Sequence, residues 1–472
     1  MMLSIQRTHP LTRRFVDLLN EGRKRAAALG CTVLVSLAQQ VGWRKSPIET
    51  FAAGKAAFQD RRFWGRPGDG FWLLGLGMAA AMPQGVMEGR RGWRDVLAGA
   101  LATGPAVRGV GPLLLGGFPF DPHVPGAAGW EGLGSSLLLP QILLTWRGEQ
   151  TWLTVNVLVG PQADPGYEAD RVSEAIGRLE AGPGVGLGQP DSRLTEETSR
   201  ADWEARLAGA MKAFSNGEAS KIVLARKKML QAASAFSVEA ALEYLSKAYP
   251  SCAIFALGRG DACFLGASPE SLVKLTDDEV SLTCMGGTTG RGVTLREDNE
   301  LARRLLASGK DQREHAAVVQ QIAECLRGLC KSLTWDTKPR VARLKSVQHL
   351  ATAFRGRAYD GKDILEMVAA LHPTPAVGGV PKAIALDIIR QLEGDRGWYA
   401  GPVGWLDARG EGEFWVGIRS ALIEGDKAIL YAGAGIVEGS VAEEEFQETE
   451  LKFQPLLRAL SSGPLPSGRD AH

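Results

Sequence analysis

The chain has 472 residues, of which 45% are hydrophobic and 23% are charged. This composition is typical of a globular protein with a large core, and the length allows two or three domains. The formal net charge of +1 excludes a surface field built to attract nucleic acid or anionic lipid. The six cysteines show neither a CxxC pair nor the spacing of a zinc site, so we expect buried thiols in a reducing compartment.

Membrane and secretory segments are not expected in this chain. The first residues, MMLSIQRTHPLTRRF, lack the apolar core of a signal peptide. The apolar stretch FWLLGLGMAAAM (71–82) is too short and too rich in glycine to cross a bilayer. These features predict a cytoplasmic protein with no membrane partner.

The first 190 residues are predicted to be rich in β-structure. SLLLPQILLTW (136–146) and TWLTVNVLVG (151–160) flank RGEQ, which predicts a hairpin with a short turn. The segment GVGPLLLGGFPFDP (109–122) matches neither GxxxxGK[ST] nor a GxGxxG that opens a helix, so it favours turns and close packing over a nucleotide loop. The glycine-rich GPGVGLGQP (182–190) is the candidate boundary between an N-terminal half (1–190) and a second region (200–460).

The second region begins with a helix, a turn at Asn216-Gly217 and a strand. Residues 296–333 are predicted to form one long helix, in which Val318, Ile322, Leu326 and Leu329 recur on one face as an apolar stripe.

The end of the chain predicts more strand and a last helix. Residues 413–437 are expected to form two strands joined at Gly425-Asp426. A last helix is expected over 443–460, followed by a disordered tail, 461–472.

Two pairs of carboxylates carry the first functional signal. Asp311 and Glu314, in SGKDQREH (308–315), are three residues apart and share one helix face, as do Glu445 and Glu448 on the last helix. If the two helices meet, the four carboxylates repel one another unless a cation lies among them, and oxygen ligands suit Mg²⁺. The alternative from spacing alone is two exposed faces with ion pairs such as Glu448–Lys452.

Residues 200–460 resemble the chorismate-utilising enzymes, and most of all the isochorismate synthases. Ten segments carry the resemblance in the family's order: KIVLAR, GASPESLV, GGTTGRG, SGKDQREHAAVV, VQHLATAFRG, LHPTPAVGGVP, RGWYAGPVGW, GEFWVGIRSAL, YAGAGIV and EFQETELK. One departure is CMGGT, where LAGT is commoner, with Cys284 and Met285 as the unusual pair. The resemblance implies an α+β fold of large layered antiparallel sheets with outer helices, and the GGFPFDP segment suggests that both halves form one compact unit.

The resemblance also implies a metal and an acid–base pair. Glu314 and Glu448 match the family's Mg²⁺ ligands, while Asp311 and Glu445 would act through bound water. Lys221 matches the family's general base toward water. A base must be a neutral amine, which burial beside Arg226 or other positive groups would favour; the alternative is a strand-edge lysine that reaches solvent.

Glu270, in SPE, matches the general acid that protonates the departing hydroxyl of the substrate. That role needs a raised pKa, from an apolar pocket or from a nearby carboxylate. The alternative is a turn residue after Pro269.

Arg419 is predicted to lie inside the apolar strand FWVGIRSAL, where a buried cation needs an anion. The resemblance makes it a bidentate clamp on a substrate carboxylate, with Tyr399 as a hydrogen-bond partner; the alternative is an internal ion pair. Gly433 and Gly435 break a strand pattern, which either brings backbone N–H groups close to an anion or marks a β-bulge.

The remaining substrate contacts come from the resemblance. His349 matches a histidine near the reacting side of the ring, with a satisfied core histidine as the alternative, whereas His372 is expected to be structural. The expected binding residues, taken together, are Gly287, Thr288, His349, Ala376, Tyr399, Arg419, Gly433, Gly435 and Lys452.

Two positions distinguish among members of the family. The nitrogen-installing relatives use ammonia from a glutaminase and lack a lysine where Lys221 stands, so water is the expected nucleophile and no glutaminase partner is expected. Pro375-Ala376 resembles isochorismate synthases, whereas salicylate synthases often have a threonine in place of Ala376.

The predicted activity is therefore Mg²⁺-dependent conversion of chorismate to isochorismate, an isomerase reaction. Chain length favours a role in menaquinone over siderophore synthesis. The alternatives are a salicylate synthase, a siderophore-pathway isochorismate synthase, and a chorismate-binding protein without catalysis.

Overall fold

A computed structural model of the chain describes residues 11–121, 123, 130, 133, 137–182, 186, 188–196, 198–345 and 347–461. Apart from Ser461, the predicted disordered tail lies outside the described residues, as do 183–185 and 187 of the expected boundary segment. Helices α1 to α11 span, in chain order, Leu11–Leu29, Pro47–Ala53, Val86–Leu97, Pro165–Ala181, Arg200–Ser215, Val238–Ala248, Leu295–Ala307, Gly309–Arg327, Ile364–Leu371, Lys382–Glu393 and Ala442–Ala459. Within these ranges, no helix is long and apolar enough to cross a membrane.

Strands dominate the rest of the described chain. In chain order, strands β1 to β23 span Val33–Val41, Asp60–Arg66, Phe71–Leu76, Ala80–Ala81, Leu101–Thr103, Leu113–Gly117, Leu137–Leu139, Ile142–Arg147, Gln150–Val159, Ser192–Glu196, Lys221–Ala232, Ala253–Arg259, Ala262–Ser268, Ser271–Thr276, Glu279–Gly290, Cys330–Trp335, Arg340–Arg343, Val347–Ala358, Gly379–Val380, Pro402–Asp407, Gly412–Val416, Ser420–Glu424 and Lys427–Val437.

The strands form two large sheets. In the larger, of 13 strands, the order is β10-β11-β23-β22-β13-β12-β2-β3-β8-β9-β1-β5, with β19 beside β11. The smaller, of 10 strands, runs β16-β18-β15-β14-β21-β20-β6-β7-β4, with β17 beside β18. Neighbouring strands are antiparallel except for β1 and β5, which are parallel. The predicted α+β fold of large antiparallel sheets with helices is confirmed.

Strands from both halves of the chain pair within both sheets. In the larger sheet β2 pairs with β12, and Phe63 lies opposite Ala256. In the smaller sheet β6 pairs with β20, and Leu115 lies opposite Trp405. Hydrogen bonds across β-ladders bind neighbouring strands directly, so the second half does not complete its sheets without the first.

Two apolar cores surround the larger sheet. One contains Phe255 and Phe264 of the larger sheet together with Phe414 and Trp405 of the smaller, so it lies between the sheets. The other covers the opposite face of the larger sheet with helices α1, α2, α4, α6 and α11. Burial of these apolar faces is the main force that holds the layers together.

Several local predictions are confirmed. The hairpin predicted at RGEQ is β8 and β9, with Arg147 paired to Gln150. The helix–turn–strand expected after residue 200 is α5 followed by β11, and the last helix is α11. His372 is structural as expected, since its Nε2 donates to the Phe120 carbonyl oxygen at 2.9 Å and so holds GGFPFDP against the second half.

Two predictions about element boundaries are wrong. The single helix expected over 296–333 is α7, a break at Ser308, α8 and then strand β16. Ser308 adopts an extended conformation and its side chain accepts a hydrogen bond from the Asp311 amide at 3.3 Å, so it caps α8 instead of continuing α7. The first strand expected over 413–437 is two strands, β21 in the smaller sheet and β22 in the larger.

Candidate active site

One cavity, with a volume of about 390 Å³, is lined by all of the site residues that the sequence analysis predicted. They come from strands, helices and connecting loops that are far apart in the chain. They are Lys221, Glu270, Gly287, Thr288, Asp311, Glu314, His349, Ala376, Tyr399, Arg419, Gly433, Gly435, Glu445, Glu448 and Lys452. Their separate functional roles remain predictions.

Glu270 lies in the short link between β13 and β14. Its amide donates to the Ser268 hydroxyl at 3.3 Å, and its carbonyl oxygen accepts from the Val416 amide at 3.0 Å, so the backbone is held on both sides. Burial raises the pKa of the Glu270 carboxyl from 4.5 to about 7, although Lys221, Lys452 and Arg419 oppose this shift. A carboxyl group with this pKa can carry a proton at neutral pH, as a general acid must.

Lys221 is the first residue of β11 and is buried. Its Nζ donates to Glu314 Oε1 of α8 at 2.5 Å. The expected neighbour Arg226 is not beside it: the two residues are five apart on a regular strand, so their side chains leave opposite faces. Arg226 instead lies 3.4 Å from the centre of the Phe446 ring and donates to Thr449 Oγ1 at 2.6 Å.

The second pair of carboxylates lies on α11. Lys452 Nζ donates to Glu448 Oε1 at 2.5 Å and to the Gly433 carbonyl oxygen at 2.7 Å. Burial raises the pKa of Glu445, and the neighbouring Glu448 raises it further. Burial alone would also raise the pKa of Glu448, but Lys452, His349 and Arg419 lower it overall. The two glutamates therefore repel each other inside the cavity.

The four carboxylates fit a hard divalent cation in donor type, because all are oxygen ligands from two helices that face one cavity. In the arrangement seen here Glu314 and Glu448 are each paired with a lysine. Over the part of the chain that the structure describes, no three histidine, cysteine, aspartate or glutamate side chains are grouped closely enough to hold a metal ion. The four carboxylates line one cavity, and the metal ion remains a proposal.

His349 lies on β18, opposite a distortion of β15. The register of these strands shifts between Gly286 and Thr288, where Gly287 has a φ of 61°. His349 Nδ1 lies 3.2 Å from the Gly287 carbonyl oxygen and 3.1 Å from Thr288 Oγ1. Because a carbonyl only accepts, we assign the proton to Nδ1, which leaves the lone pair on Nε2. Burial, with Arg419 and Lys452, lowers the pKa of His349 to about 4, so the ring is neutral at pH 7.

Arg419 does not lie inside a strand, which corrects the sequence prediction. It lies between β21 and β22, where the chain crosses from the smaller sheet to the larger, and its φ is 50°. A left-handed arginine is strained, and such strain is concentrated at functional sites. The guanidinium is buried against the cavity, and burial lowers its pKa while Tyr399 and Glu448 raise it. Among the described acidic residues none forms an ion pair with it, so the internal-salt-bridge alternative is not seen.

Tyr399 and the two glycines of β23 form the adjoining wall. The Tyr399 ring stacks on Tyr431 with centroids 5.2 Å apart, and burial raises its pKa to about 12. Gly433 and Gly435 lie in a regular ladder with β11, so the β-bulge alternative is wrong. A Cβ at Gly433 would lie 2.9 Å from the Tyr399 hydroxyl, and one at Gly435 would lie 3.1 Å from Lys221 Cε. The glycines therefore leave room for these two side chains.

The sequence analysis missed one cation of the cavity. Lys310 lines the wall with Asp311 and Glu314, and it lowers the pKa of Glu445 against the larger effect of burial. The signal was present in the chain, since Lys310 precedes Glu314 by four residues on α8 and so shares its face. Apolar wall residues such as Val223 and Ile418 carry no comparable signal, because nothing in their local sequence distinguishes them from core residues.

A family model described as "Chorismate binding enzyme" matches residues 21–461. The chain is 36% identical over 450 residues to the salicylate biosynthesis isochorismate synthase of Pseudomonas aeruginosa, an alignment that covers 93% of this chain and 92% of that protein. It is 32% identical to the isochorismate synthase MenF of Bacillus subtilis, over 98% of this chain and 99% of the relative. This protein therefore belongs to the family of chorismate-binding enzymes.

The fold is similar to that of a solved member of the family. The structure of MenF, the menaquinone-specific isochorismate synthase from Escherichia coli, superposes with a TM-score of 0.77 at 25% sequence identity. The match covers 95% of this chain and 99% of that one. The resemblance to chorismate-utilising enzymes predicted from the ten segments is confirmed.

Proposed function

We propose that this protein is an isochorismate synthase, which interconverts chorismate and isochorismate with Mg²⁺ as its cofactor. The observation that carries the proposal is the meeting, in one cavity, of Lys221, the high-pKa Glu270 and an unpaired buried Arg419. The names of the relatives in Pseudomonas aeruginosa and Bacillus subtilis support it.

We assign substrate binding to Arg419 and Tyr399 in the wall of the cavity. Chorismate carries two carboxylates, and Arg419 can hold one of them through two parallel hydrogen bonds because no acidic residue in the described part of the chain pairs with its guanidinium. Tyr399 supplies a hydroxyl beside it. The buried, rigid surroundings keep both groups oriented before the substrate arrives, which reduces the entropic cost of binding.

The reaction exchanges one hydroxyl for another. Water adds at C2 of the ring while Lys221 takes its proton, the two ring double bonds shift, and the C4–oxygen bond breaks as Glu270 protonates the departing hydroxyl. Atoms and charge balance, because one water enters and one leaves. Lys221 must be a neutral amine before it can take a proton from water, since a base needs a free lone pair, and the neutral amine can still donate an N–H to Glu314.

Glu314 and Glu448 would hold Mg²⁺, and Asp311 and Glu445 would contact it through water. The chemistry that the ion supplies is neutralisation of a substrate carboxylate and of the crowded glutamates. Glu314 cannot bind both the ion and Lys221 fully. If the ion takes Glu314, Lys221 loses the carboxylate that favours its charged form, so metal binding and a neutral amine can occur together.

Two other activities would use the same cavity. A salicylate synthase would continue from isochorismate by eliminating pyruvate, and a protein without catalysis would bind chorismate alone. Because water is the nucleophile, the proposal includes no glutaminase partner, and the net charge of +1 gives no ground for a nucleic-acid partner. Chain length no longer favours menaquinone synthesis over other pathways, because the chain covers 92% of the salicylate-pathway relative and 99% of the menaquinone-specific one.

The test is to incubate the purified protein with chorismate, with and without Mg²⁺, and to separate the products by chromatography. We expect isochorismate to form only with Mg²⁺, with little salicylate or pyruvate. Lys221→Ala should bind chorismate in calorimetry and form no product. Lys228→Ala is a matched control, since Lys228 is a buried lysine of the same strand that pairs with Glu450.

Each alternative gives a different result. Salicylate with an equal amount of pyruvate would assign the protein to the lyase branch. Chorismate binding without any product would make it a binding protein and would remove the roles given to Lys221 and Glu270. Equal product formation with and without Mg²⁺ would overturn the proposal that Mg²⁺ is the cofactor.

A further inference from the structure

A second opening reaches Lys221 from outside the main cavity. This side cleft has a volume of about 350 Å³, and its wall is formed by residues at the start of β11 and in the first half of α8, together with Val380, Val437 and Glu438. It shares Lys221, Lys310, Glu314 and Val437 with the main cavity. The Lys221–Glu314 ion pair therefore belongs to the wall between the two spaces.

The side cleft reaches the proposed general base but not the proposed general acid or the carboxylate clamp. Lys221 lines both spaces, whereas Glu270 and Arg419 line the main cavity and are absent from the described wall of the cleft. Lys221 is paired with Glu314, so the cleft keeps two further cations, Lys310 and Arg313, with Glu438 as the other acidic residue. The buried arginine that would clamp a substrate carboxylate is absent from the described wall of the cleft, and water needs no such clamp to pass.

We infer that the side cleft is the route by which water reaches Lys221 while chorismate fills the main cavity. This inference rests on the proposed function. The Lys221 side chain is only 9% exposed, so a ligand in the main cavity leaves the cleft as its remaining contact with solvent.

Residues of α8 allow the route to be blocked from outside the main cavity. Ala317 is exposed and lines the cleft, three and seven residues beyond Glu314 and Lys310 on the same helix face. The matched control is Ala316, which is also exposed but lies about 100° around the helix and lines neither space. Ala317→Trp should fill the cleft, and Ala317→Leu is a smaller block if the first variant folds poorly.

The first readout is the accessibility of the Lys221 amine. The wild-type protein is saturated with chorismate and Mg²⁺, and calorimetry verifies the saturation. Trace acetic anhydride is then added, and peptide mass spectrometry measures the rate at which Lys221 is acetylated. We expect chorismate to leave the wild-type rate nearly unchanged, and Ala317→Trp to lower the rate in the chorismate complex about tenfold, because it fills the side cleft, the approach to Lys221 that chorismate leaves open among the described residues. Ala316→Trp should behave as wild type.

The second readout is turnover. Ala317→Trp should lower kcat about tenfold with KM for chorismate unchanged, as expected when a step after substrate binding is slowed. Protection of Lys221 by chorismate in an active wild type, or equal kcat values for the Ala317 and Ala316 variants, would overturn the side cleft as the water route. Absence of isochorismate from the wild-type assay would instead overturn the proposed function itself.

Discussion

At the scale of single residues, the cavity separates two proton-transfer groups by their surroundings. Burial raises the pKa of the Glu270 carboxyl to about 7, whereas Lys221 donates to the carboxylate of Glu314. Opposite roles in acid–base chemistry require different surroundings of this kind. Arg419 adds a cation at a strained backbone position, which is kept there by the two sheets that it connects.

The proton on Glu270 can be tested through the pH profile. Glu270→Gln should lower kcat about 100- to 10,000-fold, the usual contribution of a general acid, while chorismate still binds. Because the acid must be protonated, wild-type kcat should fall as pH rises above about 7, in line with the raised pKa of Glu270. A wild-type profile that is flat from pH 6 to 9, or an active Glu270→Gln, would contradict the assignment.

The same carboxyl should reduce stability at high pH. Its pKa is raised from 4.5 to about 7 in the folded protein, so the folded state binds the proton more tightly than the unfolded state. Its contribution to stability is therefore fully present below pH 4.5 and is lost as pH rises to 7. Glu270→Gln should raise the unfolding free energy by about 1–3 kcal/mol at pH 8 and by little at pH 4.5. Urea unfolding at both pH values measures this, and an equal effect at both would contradict it.

At the scale of elements, α8 and α11 bring the carboxylates together from the middle and the end of the second half. Each helix presents acidic residues at i, i+3 to the cavity and an apolar stripe to the core. On α11 the buried face includes Phe446, Thr449 and Phe453, and Arg226 binds the first two. Packing of this face determines where Glu445 and Glu448 lie.

The proposed metal depends on both helices. Glu314→Gln and Glu448→Gln should each weaken Mg²⁺ binding by at least about tenfold, because each removes a charged oxygen ligand. Calorimetric titration with Mg²⁺ measures this without any turnover. Glu443→Gln is the control, since Glu443 is an exposed residue of α11 that pairs with Arg200. If either cavity variant titrates like wild type, the metal ligands lie elsewhere.

Arg226 should be the main anchor of α11. Arg226→Met should cost about 1–3 kcal/mol, because it removes the buried guanidinium that donates to Thr449 and Glu450, although Glu450 keeps Lys228 as a second cation. Arg200 lies over the same Phe446 ring but is half exposed, so Arg200→Met should cost less than about 1 kcal/mol. Chemical unfolding compares the two, and equal losses would show that burial of Arg226 is not the cause.

At the scale of the whole molecule, the active site depends on strands from both halves. The larger sheet continues from β12 into β2, and the smaller from β20 into β6. Glu413 adds a link, because its buried carboxylate binds Arg66 at 3.1 Å and Arg108 at 3.0 Å from the first half. The cavity residues belong to the second half, but the sheets that carry them are completed by the first.

This sharing predicts that the second half does not fold alone. A fragment of residues 200–461 would expose the edges of β12 and β20 and part of the apolar core between the sheets, which favours aggregation. We expect it to be insoluble or to lack a cooperative thermal transition, whereas the full chain has one. Size-exclusion chromatography and circular dichroism measure both, and a monomeric fragment with a cooperative transition would contradict the prediction.

The sequence by itself determined the features that depend on neighbours in the chain. The hairpin at RGEQ, the helix and strand after residue 200, the apolar stripe of α8 and the last helix all follow from local periodicity and turn residues. The ten family segments identified the family and all fifteen cavity residues that were named. The residue types of a family motif can be recognised from the sequence alone, so these predictions did not depend on the three-dimensional structure.

Only the tertiary structure decided which side chains meet. Lys221 and Glu314 are 93 residues apart, and no local pattern determines that they pair or that Arg226 lies across the strand from them. Arg419 looked like part of a strand because its neighbours are apolar, yet the chain changes sheets there. The break at Ser308 depends on a cap competing with a continuing helix. The Lys221–Glu314 pair and the change of sheet at Arg419 depend on long-range packing, which sequence periodicity does not encode, whereas the cap at Ser308 is a local interaction that helix periodicity alone does not reveal.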